Sequence, residues 1–313
     1  MKNILGLSLV CFLFSYCSTP DSQSTDEATA QPVVNKIDQT SGLSDYWYQG
    51  EAEINRYTLE QNRYKDVHPG EAVLVFVTED FLTDKQVKND NYTNPNSVPI
   101  LKNNILRKFP TGIYDYSIMS SVFTPVETKK QPHTLKVTTS SQEWCGHTFM
   151  QINKDGKHYK TKLHSYFENE GDQENRVPIA MLEDEIFNRI RMNPKALPTG
   201  KMQMLPGTVY TRLRHFEFKP VEASASLGKY EGSDFEGDQL KVYKIQYPAL
   251  NRTLEVIFEA EAPYEIIGWI DAYPSAFDRQ VRKTIARRTH SIMSAYWTKN
   301  GLDDMALREQ LGL

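Results

Sequence analysis

Strand alternation limits what this chain can fold into more tightly than any other feature, and it is clearest around Asn153-Lys154-Asp155-Gly156-Lys157. Asp-Gly between alternating segments predicts a β-hairpin closed by a type I′ turn. With Asp155 and Gly156 as turn residues, Ile152 pairs with Tyr159, Met150 with Thr161, Thr148 with Leu163 and Trp144 with Phe167. Side chains alternate along a strand, so these residues share one face, and it is apolar. The other face sets Asn153, Gln151, His147 and Cys145 against His158, Lys160, His164 and Tyr166. A slip of one residue would mix the two sets.

The same pattern recurs along the chain. Glu51–Tyr64 reads as a strand that turns through Asp66-Val67-His68-Pro69-Gly70 and returns over Ala72–Leu82, with the run Val73-Leu74-Val75-Phe76-Val77. Thr83–Pro99, rich in Asn and Asp, reads as a loop. Further strands are predicted over Ile113–Phe123, His133–Ser140, Thr208–Phe218, Gln239–Tyr247, Arg252–Ala260 and Tyr264–Ala272. Thr284–Trp297 has strand composition, while Arg279–Arg288 would also suit a basic helix. One amphipathic helix is predicted over Ile179–Met192, with Ile179, Leu182, Ile186, Phe187 and Ile190 on one side and Glu183, Asp184, Glu185, Arg189 and Arg191 largely elsewhere. Pro178 suits its first turn and Pro194 follows its end. Leu302–Leu311 reads as a short terminal helix with Met305, Leu307 and Leu311 free to dock. The expected fold is mainly β (α+β): a large curved antiparallel sheet or partly open barrel with one crossover helix and a short C-terminal helix.

The N-terminus carries different information. Met1-Lys2-Asn3 precedes an apolar run from Ile4 to Phe14, the layout of a secretory signal. The run is shorter than the about 20 residues a membrane-spanning helix needs. It ends in Phe14-Ser15-Tyr16-Cys17-Ser18, which resembles the bacterial lipobox. That resemblance implies lipidation of Cys17. Tyr16 departs from the small residue usual before the cysteine, so Cys11 and plain secretion remain alternatives. Ser18–Thr40 is polar and nearly free of large apolar residues, so it cannot offset its chain entropy by burial. Residues 1–17 are therefore expected to be signal peptide and lipobox, and 18–44 a disordered tether with a typical reach of roughly 25 Å. Residues 45–313 would form one β-rich body, divided at most into two halves near 178–200. Ser18 after Cys17 is not the Asp that retains lipoproteins in the inner membrane, which points to the outer membrane.

Few motifs carry chemistry. A net charge of −4 and a pI near 6.0 argue against nucleic acid as a partner. Trp144-Cys145-Gly146-His147 lacks the second cysteine of a redox motif, and Cys145 is the one cysteine of the body. The hairpin register sets His147 opposite His164 with Cys145 two residues away. Two imidazoles and a thiolate at that spacing would suit zinc or copper, or a thiol nucleophile with a histidine base. Gly232–Asp238 carries alternate acidic residues, but its spacing is not that of an EF-hand, and a polar connection is the simpler reading. Arg279, Arg282, Lys283, Arg287 and Arg288 would suit phosphates, or a solvated face beside Glu255, Glu259 and Glu261. Phosphate-binding glycine loops, serine-hydrolase elbows and zinc-protease helices are missing, so no cofactor is expected.

Trp47-Tyr48-Gln49-Gly50-Glu51-Ala52-Glu53-Ile54-Asn55-Arg56-Tyr57 and Glu143-Trp144-Cys145-Gly146-His147 resemble a family of uncharacterised bacterial outer-membrane lipoproteins. Members are sometimes labelled septum formation inhibitor Maf. The Ser-x-Ser-Pro-Arg-Arg motif of true Maf pyrophosphatases is missing here, so the resemblance implies no catalytic residue. The expected function is that of an exported, lipid-anchored envelope protein, a binder rather than an enzyme. It would bind an apolar ligand, a lipid or a partner protein. The alternatives are a hydrolase centred on Cys145, His147 and His164, and a purely structural envelope protein.

Overall fold

The computed structural model describes residues 43–313. The predicted signal, Cys17 and nearly all of the tether lie outside the described residues. The strands are β1 (Ala52–Arg63), β2 (Asp66–Leu82), β3 (Val87–Lys88), β4 (Ser97–Thr111), β5 (Tyr114–Pro125), β6 (Lys136–Glu143), β7 (Gly146–Asp155) and β8 (His158–Ser165). They continue as β9 (Gln173–Pro178), β10 (Met181–Leu182), β11 (Gly200–Leu205), β12 (Val221–Lys229), β13 (Leu240–Tyr247), β14 (Arg252–Glu259), β15 (Ile266–Pro274) and β16 (Val281–Ser294). Two short helices, α1 (Ile186–Met192) and α2 (Thr208–Arg214), interrupt the series.

All strands join one 16-stranded sheet, ordered β10-β11-β12-β13-β14-β15-β16-β1-β2-β4-β5-β6-β7-β8-β9, with β3 beside β2. Every pairing is antiparallel except β10 with β11. The two edges, β9 and β10, are joined in sequence by Ile179 and Ala180 but do not pair. Tyr57, Leu74 and Leu101 from the middle of the sheet share one core with Tyr243, Val256 and Trp269 from strands far along it. The sheet therefore curls around its own interior as an open, barrel-like layer.

The predicted hairpin exists with its faces as expected but its partners shifted. Ile152 pairs with Thr161, Met150 with Leu163 and Asp155 with His158, leaving Gly156-Lys157 as the loop. Gly156 has φ +58 while neither Asp155 nor Lys157 is positive. A positive φ at the first loop position alone is the II′ geometry, which needs only this glycine, whereas I′ at this loop would have forced Lys157 positive as well. The shift of two residues keeps the side chains of β7 and β8 on their predicted faces, but Trp144 and Cys145 form the turn between β6 and β7, where Trp144 is exposed instead of pairing with Phe167.

The first turn lies earlier than expected. It is formed by Tyr64 (φ 57) and Lys65, and Pro69 and Gly70 sit inside β2. A Cβ on Gly70 would run into the Lys108 carbonyl and Phe109 of the neighbouring strand, so this glycine serves close approach rather than reversal. Thr83–Pro99 is not all loop, since it holds β3 and the start of β4. Residues 281–294 are strand, not basic helix.

Two helical expectations change. Only Ile186–Met192 is α-helix; Met181–Leu182 instead pairs with Met204–Leu205, and Glu183–Glu185 forms a 3-10 turn. Thr208–Arg214 is a helix rather than a strand. Its first amide, Thr208 N–H, donates to both Asp184 carboxylate oxygens at 3.1 Å, and Thr208 Oγ1 donates to Oδ1 at 2.5 Å. A carboxylate supplied from a distant turn thus satisfies donors that the helix leaves free at its start. The C-terminal segment Leu302–Leu311 is 3-10, with Leu311 buried, Leu307 half-buried and Met305 exposed.

Candidate functional site

The run Val73–Val77 places apolar side chains on both faces of β2. Leu74 and Phe76 point into the curled interior, while Val73, Val75 and Val77 point out. Ile54 of β1 and Leu106 of β4 join the outer set. Outer faces of antiparallel sheets are ordinarily polar, so this apolar face calls for a cover. The C-terminal segment covers it in part by laying Leu311 and Leu313 against the strands. Between them remains a groove of about 440 Å³, with Val73, Val75, Leu106 and Met119 on its floor. Lys108 and Arg308 stand at its rim. Neither forms an ion pair with a described residue, whereas Glu71 is held by Arg56 at 3.5 Å. An adjoining polar hollow shares Glu71 and Lys108 as walls and adds Ser117 and Asp115. The site is thus an apolar trough leading to a polar end with uncommitted cations. Its sequence signal was the unbroken apolar run, which marks a strand buried on both faces.

The curled interior is filled. Phe187 of α1 packs edge-on to Trp269, with ring centroids 5.5 Å apart. The three acidic residues expected on the polar side of a surface helix are all buried here. Arg252 donates to both Glu183 oxygens at 2.6 and 2.7 Å and to both Asp271 oxygens at 2.7 and 2.9 Å. Glu185 accepts from Thr134, from Leu182 N–H at 3.3 Å and from Arg189 at 3.1 Å. Arg191 donates to Glu53, which also accepts from Tyr46 and from Asn55 at 2.7 Å. The interior therefore offers no apolar lumen for a lipid, and the concave apolar surface lies outside the curl.

Burial raises the Asp184 carboxyl to about 6, against the opposing hydrogen bonds from Thr208. The folded protein keeps this proton to a higher pH than the unfolded chain does. Stability from this group is therefore fully present below the unfolded carboxylate range and is lost as pH rises through about 6. Asp184→Asn cannot ionise, so its urea midpoint should decline less than that of the wild type between about pH 4 and about 6. Parallel slopes for the two proteins in that window would refute the assignment.

The predicted Cys145–His147–His164 constellation does not assemble. Cys145 is exposed, and its backbone N–H donates to the Glu143 carboxylate at 2.7 Å. A hydrogen bond with Glu143 and its negative charge hold the thiol above its ordinary pKa, the reverse of nucleophile activation. His147 pairs across to Gln142 on β6, and His164 faces Phe149 rather than His147. The His164 ring lies 3.2 Å from Asp172 instead. Among the described residues no three His, Cys, Asp or Glu side chains are arranged to hold a metal ion.

Arg282, Lys283, Arg287 and Arg288 of the basic run are paired, but not with Glu255, Glu259 or Glu261. Arg282 meets Asp278 at 2.7 Å, Arg287 meets Glu60 at 2.7 Å and Arg288 meets Glu265 at 2.6 Å. The acidic loop contributes Asp234 to Lys283 at 3.6 Å and buries Phe235 beneath it.

No protein-family model matches the chain, and no curated protein matches it. Among solved structures, it is similar to a beta-barrel-like protein of domain of unknown function DUF1849 from Brucella abortus. The two share 8% identity over 78% of this chain and 98% of that one, with a TM-score of 0.40. A DUF1089 family protein from Pseudomonas aeruginosa matches at 10% identity over 57% of this chain and 86% of the other, with a TM-score of 0.31. Neither likeness transfers a residue role to this chain.

Proposed function

We propose that this chain is a lipid-anchored protein of the cell envelope, attached through Cys17, and that it binds a single-chain anionic amphiphile without catalysis. The observation that carries this reading is the outer groove. Its 440 Å³ falls within the usual range for small-molecule sites, about 300–1,000 Å³. Its floor is aliphatic, and Lys108 and Arg308 wait at the rim for a carboxylate or phosphate head. The N-terminal signal and lipobox-like segment support the compartment, and their polar tether would let the body reach lipid.

A fluorescent fatty acid titrated into the purified protein should bind saturably and be displaced by unlabelled fatty acid. Leu106→Asp places a charge on the groove floor. Losing the burial of one leucine is worth about 1.5–3 kcal/mol, so affinity should fall at least about tenfold in a variant that still unfolds cooperatively, with some loss of midpoint because Leu106 also packs against the outer cluster. Equal binding by wild type and variant would sink the proposal.

A further inference from the structure

A separate hollow lies where the β7–β8 turn, the connection between β5 and β6 and the link between the two sheet edges meet. It has a volume of about 610 Å³, and its walls include Lys130, His133, Lys154, Lys157, Gln131 and Ile179. Four of its lining side chains are basic and none is a carboxylate. It shares no lining residue with the outer groove. A concave surface of one charge sign focuses its field on a ligand of the other.

Glu127 holds Lys130 at 2.6 Å, and Arg176 holds Asp155, at the end of β7, at 3.0 Å. Glu185 is buried and accepts from Thr134, Leu182 and Arg189. Lys154 and Lys157 meet no carboxylate among the described residues. Lys154 is half-buried and Lys157 exposed, so both ammonium groups are open to a ligand. The backbone that carries them is pinned. Lys154 N–H donates to the Leu135 carbonyl at 2.8 Å, Gln86 Nε2 to the Lys154 carbonyl at 2.7 Å, and Ile179 N–H to the Lys157 carbonyl at 3.2 Å. Burial holds the His133 imidazole below its ordinary pKa, so near neutral pH it adds a ring N–H rather than a further charge.

We propose that this hollow binds a phosphomonoester, carried on a lipid headgroup or on a soluble molecule, with Lys154 and Lys157 holding its oxygens. A phosphomonoester brings about −1.5 to −2 charges near neutral pH and three acceptor oxygens, which matches two free ammonium groups. A carboxylate or a phosphodiester brings a single charge and leaves one ammonium unanswered. Lysine serves phosphate as a point charge. The His133 ring and the Gln131 amide stand on the same wall for the third oxygen.

The test uses two probes on the full chain: glycerol 3-phosphate by calorimetric titration, and phosphatidylcholine vesicles containing either phosphatidic acid or phosphatidylglycerol by co-sedimentation. Saturable heat with glycerol 3-phosphate identifies a soluble source. Stronger sedimentation with phosphatidic acid, a monoester, than with phosphatidylglycerol, a diester, identifies a headgroup. In either case Lys154→Gln/Lys157→Gln should weaken binding at least about tenfold. Neither lysine is ion-paired in the fold, so its thermal midpoint should match that of the wild type. Lys65→Gln/Lys219→Gln removes the same charge from outside the hollow and should bind as the wild type does. The proposal is overturned if neither probe binds, if the two vesicles sediment the protein equally and glycerol 3-phosphate gives no heat, or if the two double variants bind alike. The fatty-acid titration reads the outer groove and should be the same in both double variants.

Discussion

Arg252→Met should cost the protein most of its stability. One guanidinium answers two buried carboxylates, Glu183 on the segment that enters the interior and Asp271 on β15, each through two hydrogen bonds. It also lies 4.1 Å from the centre of the Tyr210 ring. Removing one partner of a buried ion pair costs about 3–5 kcal/mol, because the other charge is stranded. Here two charges are stranded, against a typical total stability of about 5–15 kcal/mol. Urea unfolding should show a large drop in midpoint or no cooperative transition at all. Adding Glu183→Gln and Asp271→Asn to Arg252→Met should recover part of the loss, since neutral amides need no counter-charge. A midpoint within error of the wild type would show that water already solvates these carboxylates.

Glu53→Leu should come next in size. The Arg191 side chain is 0% exposed and its partner Glu53 1% exposed, so no solvent compensates the loss of either. The rings of Trp47 and Phe76, 5.0 and 5.6 Å from the guanidinium carbon, would remain. Such cation–π contacts are worth about 2 kcal/mol when desolvated, less than the about 3–5 kcal/mol expected for the stranded charge. Thermal unfolding should therefore report strong destabilisation. The double variant Glu53→Leu/Arg191→Met should be closer to the wild type than Glu53→Leu alone, since an apolar pair can replace a buried ionic one. A double variant worse than the single one would contradict this account.

The strands were legible where one face is polar. β5 to β8 and β13 to β15 follow their alternation, and the hairpin over Gly156 kept its faces despite its shifted register. Legibility failed where a side chain's environment comes from far along the chain. Glu183, Asp184 and Glu185 look solvent-facing by pattern alone, and only Arg252, Thr208 and Thr134 make their burial tolerable. Thr208–Phe218 alternates like a strand, yet a carboxylate from a distant turn caps it as a helix. β9 and β12 carry too little apolar content to register as strands. The groove was half visible: Val73–Val77 was seen as a strand, but its outward face was not recognised as needing a cover. The Cys145 constellation rested on one register, and a two-residue shift was enough to separate its histidines.

The order of the sheet has a consequence for how the chain is made. Strands that lie side by side are close in sequence almost everywhere, so most pairings close short loops. The exception is β1 against β16, which joins Ala52 to Ser294. A chain emerging from the ribosome would form β1 early and pair it at once with β2 on one side only. Its other edge must then wait, unpaired, until nearly the whole chain has been synthesised. That waiting edge includes Glu53, Arg56 and Glu60, and charges of this kind keep an open strand from pairing with a stranger before its own partner arrives.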